Sequence, residues 1–324
     1  MRNTSISPLI LDDERVRTLS QHLDVRQAMH NLFRALATGR AIQPEQQQVG
    51  LANNADFINY LGALNDEYVY GVKTSPYIPT ADRPIVTAWT LLMSLRTGQP
   101  LLLTDATYLT ALRTAATTAV AVEHLAPASA KHLVIIGSGR LAVEHLRATL
   151  DLRAWERISI HSPNLGSMPP EHRQAICNLS ATVELHEDKS AALKEADVVM
   201  LCTSSANPVL KLEQLDRPAL ITSISTNAYR AHEIAPLVLS EMDVYCDYRQ
   251  TTPAIAGEMV LAAQQYAWST SAIVGDLPEL EAGTAPLPDY HRPAFFRSMG
   301  LGLEDVAIAL ALYRAALSSP PEST

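Results

Sequence analysis

Cysteine is scarce in this chain: Cys177, Cys202 and Cys246 are the only three among 324 residues. They are odd in number, widely separated and form no Cys-x-x-Cys pair, which excludes a disulfide framework and a cysteine metal site and leaves buried thiols as the expectation. The ten histidines lack the His-x-x-x-His and His-Glu-x-x-His spacings, so no metal is expected either. Long apolar runs are missing as well. No stretch approaches the ~20 residues of a membrane helix, and Leu9-Ile10-Leu11 is too short for the core of a signal peptide, so the expected location is the cytoplasm. Runs of lysine and arginine are absent and the formal charge is -9, which argues against a nucleic-acid partner. The acid excess is compatible with a cationic small-molecule substrate, and equally with solubility alone.

What is present is apolar material for a large core, 47% of residues, in a chain long enough for two domains. Its first part reads as a strand (Leu9 to Leu11), a helix capped by Asp24 with Val25, Met29, Leu32, Phe33 and Leu36 on one face, and then strands over Phe57 to Leu64 and Tyr68 to Lys73. Pro76 to Pro84 reads as a loop, Ile85 to Leu95 as a further strand, and Thr97-Gly98 as a turn into Leu101 to Leu103. This segment is strand-rich and antiparallel in character. An alanine-rich helix follows from Asp105 to Leu125, stopped by Pro127.

From His132 the rhythm becomes strand, helix, strand, helix: Leu133 to Ile136, Leu141 to Leu150, Arg157 to Ile160, Pro170 to Leu179, Val183 to Leu185, Ser190 to Ala196, Val198 to Cys202, Ala219 to Ser223 and Val244 to Cys246. Such alternation predicts a doubly wound parallel sheet. Gly137-Ser138-Gly139-Arg140-Leu141-Ala142 joins the first strand to its helix. Glycines there let backbone approach a ligand, and helix N–H groups point at the turn, an arrangement suited to a dinucleotide pyrophosphate and equally to an ordinary strand-turn-helix.

Other residues bear on chemistry. The second strand ends His161-Ser162-Pro163-Asn164 without the acid that binds a ribose 2'-hydroxyl; Ser162 and Asn164 leave room for a 2'-phosphate, or simply make a turn. Thr203-Ser204-Ser205 and Ser225-Thr226-Asn227 are short polar strand ends at the edge where such sheets bind ligands, and suit ribose and nicotinamide as well as generic loops. Lys73 ends a strand rich in aromatic and β-branched residues, and either reaches a cavity or partner or snorkels into water. Arg113 is the one charge in a small, apolar helical stretch, suited to holding a carboxylate or else lying on a solvated face.

Tyr70-Gly71-Val72-Lys73, Thr97-Gly98-Gln99-Pro100-Leu101, Asp105 through Leu109-Thr110-Ala111-Leu112-Arg113-Thr114-Ala115-Ala116, Gly137-Ser138-Gly139, Ala196-Asp197-Val198-Val199 and Phe296-Arg297-Ser298-Met299-Gly300-Leu301 with Glu304-Asp305 resemble the ornithine cyclodeaminase and mu-crystallin family along nearly the whole chain. The resemblance implies an α/β fold: a Rossmann-type dinucleotide-binding domain over 126–300, and an α+β substrate-binding and dimerisation domain over 1–125 completed by 301–324, whose last helix, Glu304 to Leu317, returns to it. It implies a homodimer and hydride exchange between NADP(H), with NAD(H) as the alternative, and an amino acid or its imine. By position, Lys73 and Arg113 would bind the substrate carboxylate, and Thr114, Gly137, Ser138, Gly139, Arg140, Leu141, Ser162, Asn164, Thr203, Ser204, Ser225, Thr226 and Ser298 the cofactor.

Two positions depart from the family's cyclodeaminases: Asn227 replaces an Asp, and Gln46 an Arg. An amide cannot shuttle a proton, so Lys73 becomes the better acid/base candidate. Asp56-Phe57-Ile58-Asn59-Tyr60, Thr74-Ser75-Pro76-Tyr77, Thr222 to Ala228 and Asp243 to Arg249 resemble the family's NAD(P)H-dependent L-arginine dehydrogenases. That branch implies arginine and 2-ketoarginine as substrates, Gln46 and Tyr60 at the substrate, and Asp56, Asp247 or Glu258 as carboxylate for the guanidinium. The rival expectations are a ketimine reductase for pyrroline-2-carboxylate or piperideine-2-carboxylate, and a low-turnover NADPH-binding protein.

Overall fold

A computed structural model describes residues 7–225 and 230–318. The chain divides into two compact units, one formed by the residues up to Arg113 with those from Gly300 on, the other by Thr114–Met299. The division falls inside the helix Thr107–Leu125.

The first unit is built on an eight-stranded sheet. Its strands are β1 (Leu9–Leu11), β2 (Ala41–Ile42), β3 (Gln47–Gly50), β4 (Asp56–Leu64), β5 (Val69–Ile78), β6 (Ile85–Val86), β7 (Trp89–Ser94) and β8 (Pro100–Asp105), with main order β1-β8-β7-β5-β4-β2. All neighbours are antiparallel except β1 with β8. The expected helix after Asp24 is Val25–Ala37, and the Asp24 carboxylate accepts from the N–H of Gln27 at 2.9 Å. The helix Gly302–Ser318 lies on β4 and β5. It approaches closely because two glycines face it: a Cβ on Gly62 would sit 2.9 Å from Leu303, and one on Gly71 2.7 Å from Val306.

One expectation is corrected here. Pro76 lies in strand, not loop, because β5 runs on to Ile78 with Pro76 opposite Phe57 of β4. On its other side the β7 ladder has already ended at Thr74, so the missing N–H costs no ladder bond there.

The second unit carries an eight-stranded, all-parallel sheet. Its strands are β9 (His132–Ile136), β10 (Arg157–His161), β11 (Val183–His186), β12 (Val198–Leu201), β13 (Leu220–Ser223), β14 (Asp243–Cys246), β15 (Ile273–Asp276) and β16 (Ala294–Arg297), in the order β11-β10-β9-β12-β13-β16-β14-β15. The order reverses between β9 and β12, the switch point at whose carboxyl edge such sheets bind ligands. β9 and β12 are buried throughout, which is why they read as continuous apolar runs. β15 and β16 were not anticipated, and β16 enters mid-sheet between β13 and β14. Cys202 and Cys246 are buried thiols, whereas Cys177 is half-exposed because it ends the short helix Pro170–Cys177. Among the described residues no helix is long and apolar enough to cross a membrane.

Candidate active site

In the first unit the residues singled out for carboxylate binding come together. Register places Lys73 of β5 directly opposite Tyr60 of β4, and the ammonium lies over the Tyr60 ring, 4.3 Å from its centroid. Lys73 is not at a strand end and does not reach water: it is 2% exposed, mid-strand, with Nζ 3.0 Å from Asp305 Oδ2 and 3.1 Å from Oδ1. It also reaches Thr110 Oγ1 at 3.5 Å. Arg113 is buried too, its Nε donating to Asp305 Oδ1 at 3.1 Å and Nη1 to Glu304 Oε2 at 2.8 Å. The solvated-face alternative for Arg113 therefore falls.

The two carboxylates, adjacent in the first turn of the Gly302–Ser318 helix, were missed as site residues. Their signal was two acids opening an otherwise apolar helix, which must be paired when the helix is buried. Burial disfavours the Lys73 ammonium and Arg113 adds repulsion; Asp305 works against both, and the group settles at about 8. Burial also opposes the Arg113 charge, but Asp305 and Glu304 outweigh it and hold the guanidinium firmly protonated. The result is two cations, one of them easily deprotonated, paired with two buried carboxylates beside a phenol.

Gly300 fixes the approach to Arg113. It sits at φ +80°, and a Cβ there would lie 2.3 Å from Arg113 Nη1. Gln46 lies half-buried in the link from β2 to β3, and Asp56 begins β4, where Gln48 Nε2 donates to its Oδ2 at 2.8 Å.

In the second unit the glycine turn sits at the switch point. Gly137 has φ +126°, and a Cβ on it would meet Cys202 O at 2.3 Å, so only glycine fits between β9 and the end of β12. Its N–H donates to His161 O at 2.8 Å. Gly139 caps the helix Arg140–Thr149 without any side-chain acceptor, and a Cβ there would meet nothing within 4 Å. A helix N-terminus that no side chain caps among the described residues, next to room beside Gly139, fits a pyrophosphate. Ser138 and Leu141 are half-buried and Arg140 exposed around this turn, and Thr114 lies half-buried on the helix Thr107–Leu125.

At the end of β10, Ser162 is buried and its Oγ accepts from the N–H of Asn164 at 3.4 Å, so it shapes the turn while Asn164 is exposed. Thr203, half-buried, follows β12 with exposed Ser204 after it. Ser225 is half-buried at φ +45°; Thr226 and Asn227 lie outside the described residues. Ser298 is buried and spends its hydroxyl on Asp247 at 3.2 Å.

Two proposed guanidinium partners are corrected. Asp247 is fully buried, and four donors occupy it: the N–H of Tyr248 (2.9 Å) and the Thr252 hydroxyl on one oxygen, Ser298 Oγ (3.2 Å) and the N–H of Met299 (2.6 Å) on the other. It staples its own loop. Glu258 is fully buried against Arg297, with Oε1 2.9 Å from Nε, and burial raises its carboxyl above the usual range despite that arginine. Both carboxylates face partners within the protein.

Comparison with known proteins follows this geometry. The profile of the ornithine cyclodeaminase/mu-crystallin family matches residues 7–320. An NAD(P)H-dependent anabolic L-arginine dehydrogenase of Pseudomonas aeruginosa is 56% identical over 312 residues, which cover 96% of this chain and 98% of the relative. Among solved structures, the Thermococcus litoralis Δ1-pyrroline-2-carboxylate reductase in complex with NADH and L-proline superposes with a TM-score of 0.85 at 24% identity, covering 95% of this chain and 97% of the other. An archaeal alanine dehydrogenase dimer with bound NAD gives 0.84 at 23%, covering 96% of each chain. Those two likenesses carry the fold, and the extent of the family match carries the identity. The chain belongs to the ornithine cyclodeaminase/mu-crystallin family.

Proposed function

We propose that this protein is an NAD(P)H-dependent L-arginine dehydrogenase that interconverts L-arginine with 2-ketoarginine and ammonia. The observation that carries the reading is the 56% identity over nearly the full length to an L-arginine dehydrogenase. The site agrees with it: a buried lysine and arginine meet the need to hold an amino-acid carboxylate away from water.

In the reductive direction ammonia condenses with the 2-oxo acid, releasing water and leaving an imine. When bound, the nicotinamide supplies the hydride that reduces this imine, and takes it back in the reverse direction. Arg113, held protonated and oriented by Glu304 and Asp305, binds the carboxylate with the Lys73 ammonium beside it. Lys73, brought down to about 8 by burial, is the group able to give and recover a proton near neutral pH. The Gly137 to Leu141 turn would hold the pyrophosphate, Thr203 and Ser225 the nicotinamide half, and β10, ending without an acid, accepts a 2'-phosphate, which favours NADP(H).

For the guanidinium, the surviving carboxylate is Asp56. It stands four residues before Tyr60 on β4, on the same face of the strand, and Tyr60 is the register partner of Lys73. The Gly302–Ser318 helix covers that face at Gly62 and Gly71, so the side of Tyr60 away from the helix leads to Asp56, ~13 Å along the strand. This spans an extended arginine once the reach of the two anchoring side chains is counted.

The chain acts as a homodimer in this reading. Val49, Leu51, Ile85 and Val86 of the first unit are 48–58% exposed, apolar side chains that a second copy could bury. The deciding assay follows NAD(P)H oxidation with 2-ketoarginine, with and without ammonia, beside other 2-oxo acids and cyclic imines. Strict ammonia dependence with preference for 2-ketoarginine is expected. Equal rates without ammonia, or turnover of cyclic imines alone, would replace this reading by a ketimine reductase.

A further inference from the structure

We propose that Glu233 is a positioning residue that holds two cofactor-facing loops of the parallel sheet, the one leaving β12 and the one leaving β13, at their working separation. The inference rests on the reading above, in which those loops meet the nicotinamide half of the cofactor.

Glu233 is fully buried in the second unit. Its Oε1 accepts from both the N–H (2.9 Å) and the hydroxyl (2.7 Å) of Thr203, just past β12. Its Oε2 accepts from the hydroxyl of Ser223 (2.8 Å), the last residue of β13, and from the N–H of Ser225 (2.9 Å). The β12–β13 ladder ends at Leu201 opposite Ser223. Beyond that point one carboxylate takes a backbone N–H from each departing chain and so continues the linkage.

Three features mark this as more than packing. A buried carboxylate is costly, and an apolar side chain could fill the space, but only a carboxylate offers two oxygens with two acceptor sites each. An amide would set its NH2 against an N–H on one side or the other. Next, Ser225 lies at φ +45°, a left-handed conformation that a serine adopts at a cost and that the Glu233 contact maintains. Finally, Thr203 follows Cys202, whose carbonyl lies against Gly137, so the carboxylate, the β12 loop and the glycine turn form one contiguous wall.

The negative charge has support from behind. Arg297 Nη1 donates to Ser223 Oγ at 3.3 Å, the same hydroxyl that donates to Glu233, and Arg297 pairs in turn with Glu258. Glu258 and Arg297 are thus tied through the Ser223 hydroxyl to the carboxylate of Glu233.

The test is titration of the full-length wild type and Glu233→Gln with NADPH, read by cofactor fluorescence with no substrate present. Weakening of about tenfold or more is expected from loss of a charged acceptor shared by two loops. Affinity within twofold of wild type in a variant folded by circular dichroism would overturn the proposal, since packing alone would lower the melting temperature and leave binding by folded protein unchanged. If Glu233→Gln does not fold, Ser223→Ala and Thr203→Val, each removing one hydroxyl contact, decide the matter: about threefold weakening in both is expected, and unchanged affinity in both overturns it. A wild type that binds NADPH but leaves 2-ketoarginine and ammonia untouched would sink the arginine reading and leave this binding test intact.

Discussion

Lys73 Nζ lies 3.0 Å from Asp305 Oδ2, with both side chains 2% exposed, although the two residues are 232 positions apart in the chain. Buried partners of this kind are weak evidence for stability as a pair, yet breaking one is severe because the other charge is left without compensation.

Asp305→Asn is therefore expected to lower unfolding free energy by about 3–5 kcal/mol, because Lys73 and Arg113 would then share the single carboxylate of Glu304. Urea denaturation of wild type and variant measures this. A loss below ~1 kcal/mol would mean that water enters the cluster and that the carboxylates are not its counter-charges.

The pH dependence should follow Lys73. Its ammonium is held at about 8, so the form that attracts a carboxylate and donates a proton is present below that pH and lost above it. Reductive kcat/KM, measured at constant free ammonia, should fall on the alkaline side with a midpoint near there. Lys73→Ala should abolish turnover with NADPH binding nearly intact; normal turnover with weakened NADPH binding would contradict the role given to it.

Gly300→Ala should act on the substrate and not on the cofactor. The new Cβ would be forced to within 2.3 Å of Arg113 Nη1 at a φ of +80°, displacing the guanidinium from Glu304. The KM for 2-ketoarginine should rise about tenfold or more while NADPH affinity holds. An unchanged KM would show that Arg113 does not bind the substrate.

Asp56→Asn tests recognition of the far end of the substrate. A charged contact to a guanidinium is lost, so KM for 2-ketoarginine should rise about ten- to a hundredfold, with uncharged 2-oxo acids within about twofold of wild type. Equal effects on both classes would remove Asp56 from the specificity site.

Much of this was legible in the sequence because it is governed by local rules. Asp24 announced its helix, and the buried strands β9 and β12 were visible as unbroken apolar runs. Lys73 and Arg113 stood out because charge in an apolar stretch must be answered by something. What answers it was hidden by distance: Glu304 and Asp305 read as the polar start of a helix until the fold brings them to β5. Pro76 misled for the opposite reason, since a proline reads as a breaker unless one knows that β7 has already stopped at Thr74. Asp247 and Glu258 were attractive carboxylates, yet Ser298 and Met299 donate to the first and Arg297 pairs with the second, residues that no spacing rule connects to them.

β16 has a consequence for how the protein must be made. Residues 294–297 form an interior strand, with β13 on one side and β14 on the other, so these two strands cannot meet their permanent neighbour until the ribosome has passed Arg297. The helix that begins at Gly302 and packs on β4 and β5 emerges later still. Neither unit can finish folding until these late residues have been made, although domains ordinarily fold in the order they appear. A ribosome stalled short of Arg297 would hold a chain with β13 and β14 edges open and the Gly62 and Gly71 face of the first sheet uncovered, a species predisposed to aggregate until residues 294–318 arrive.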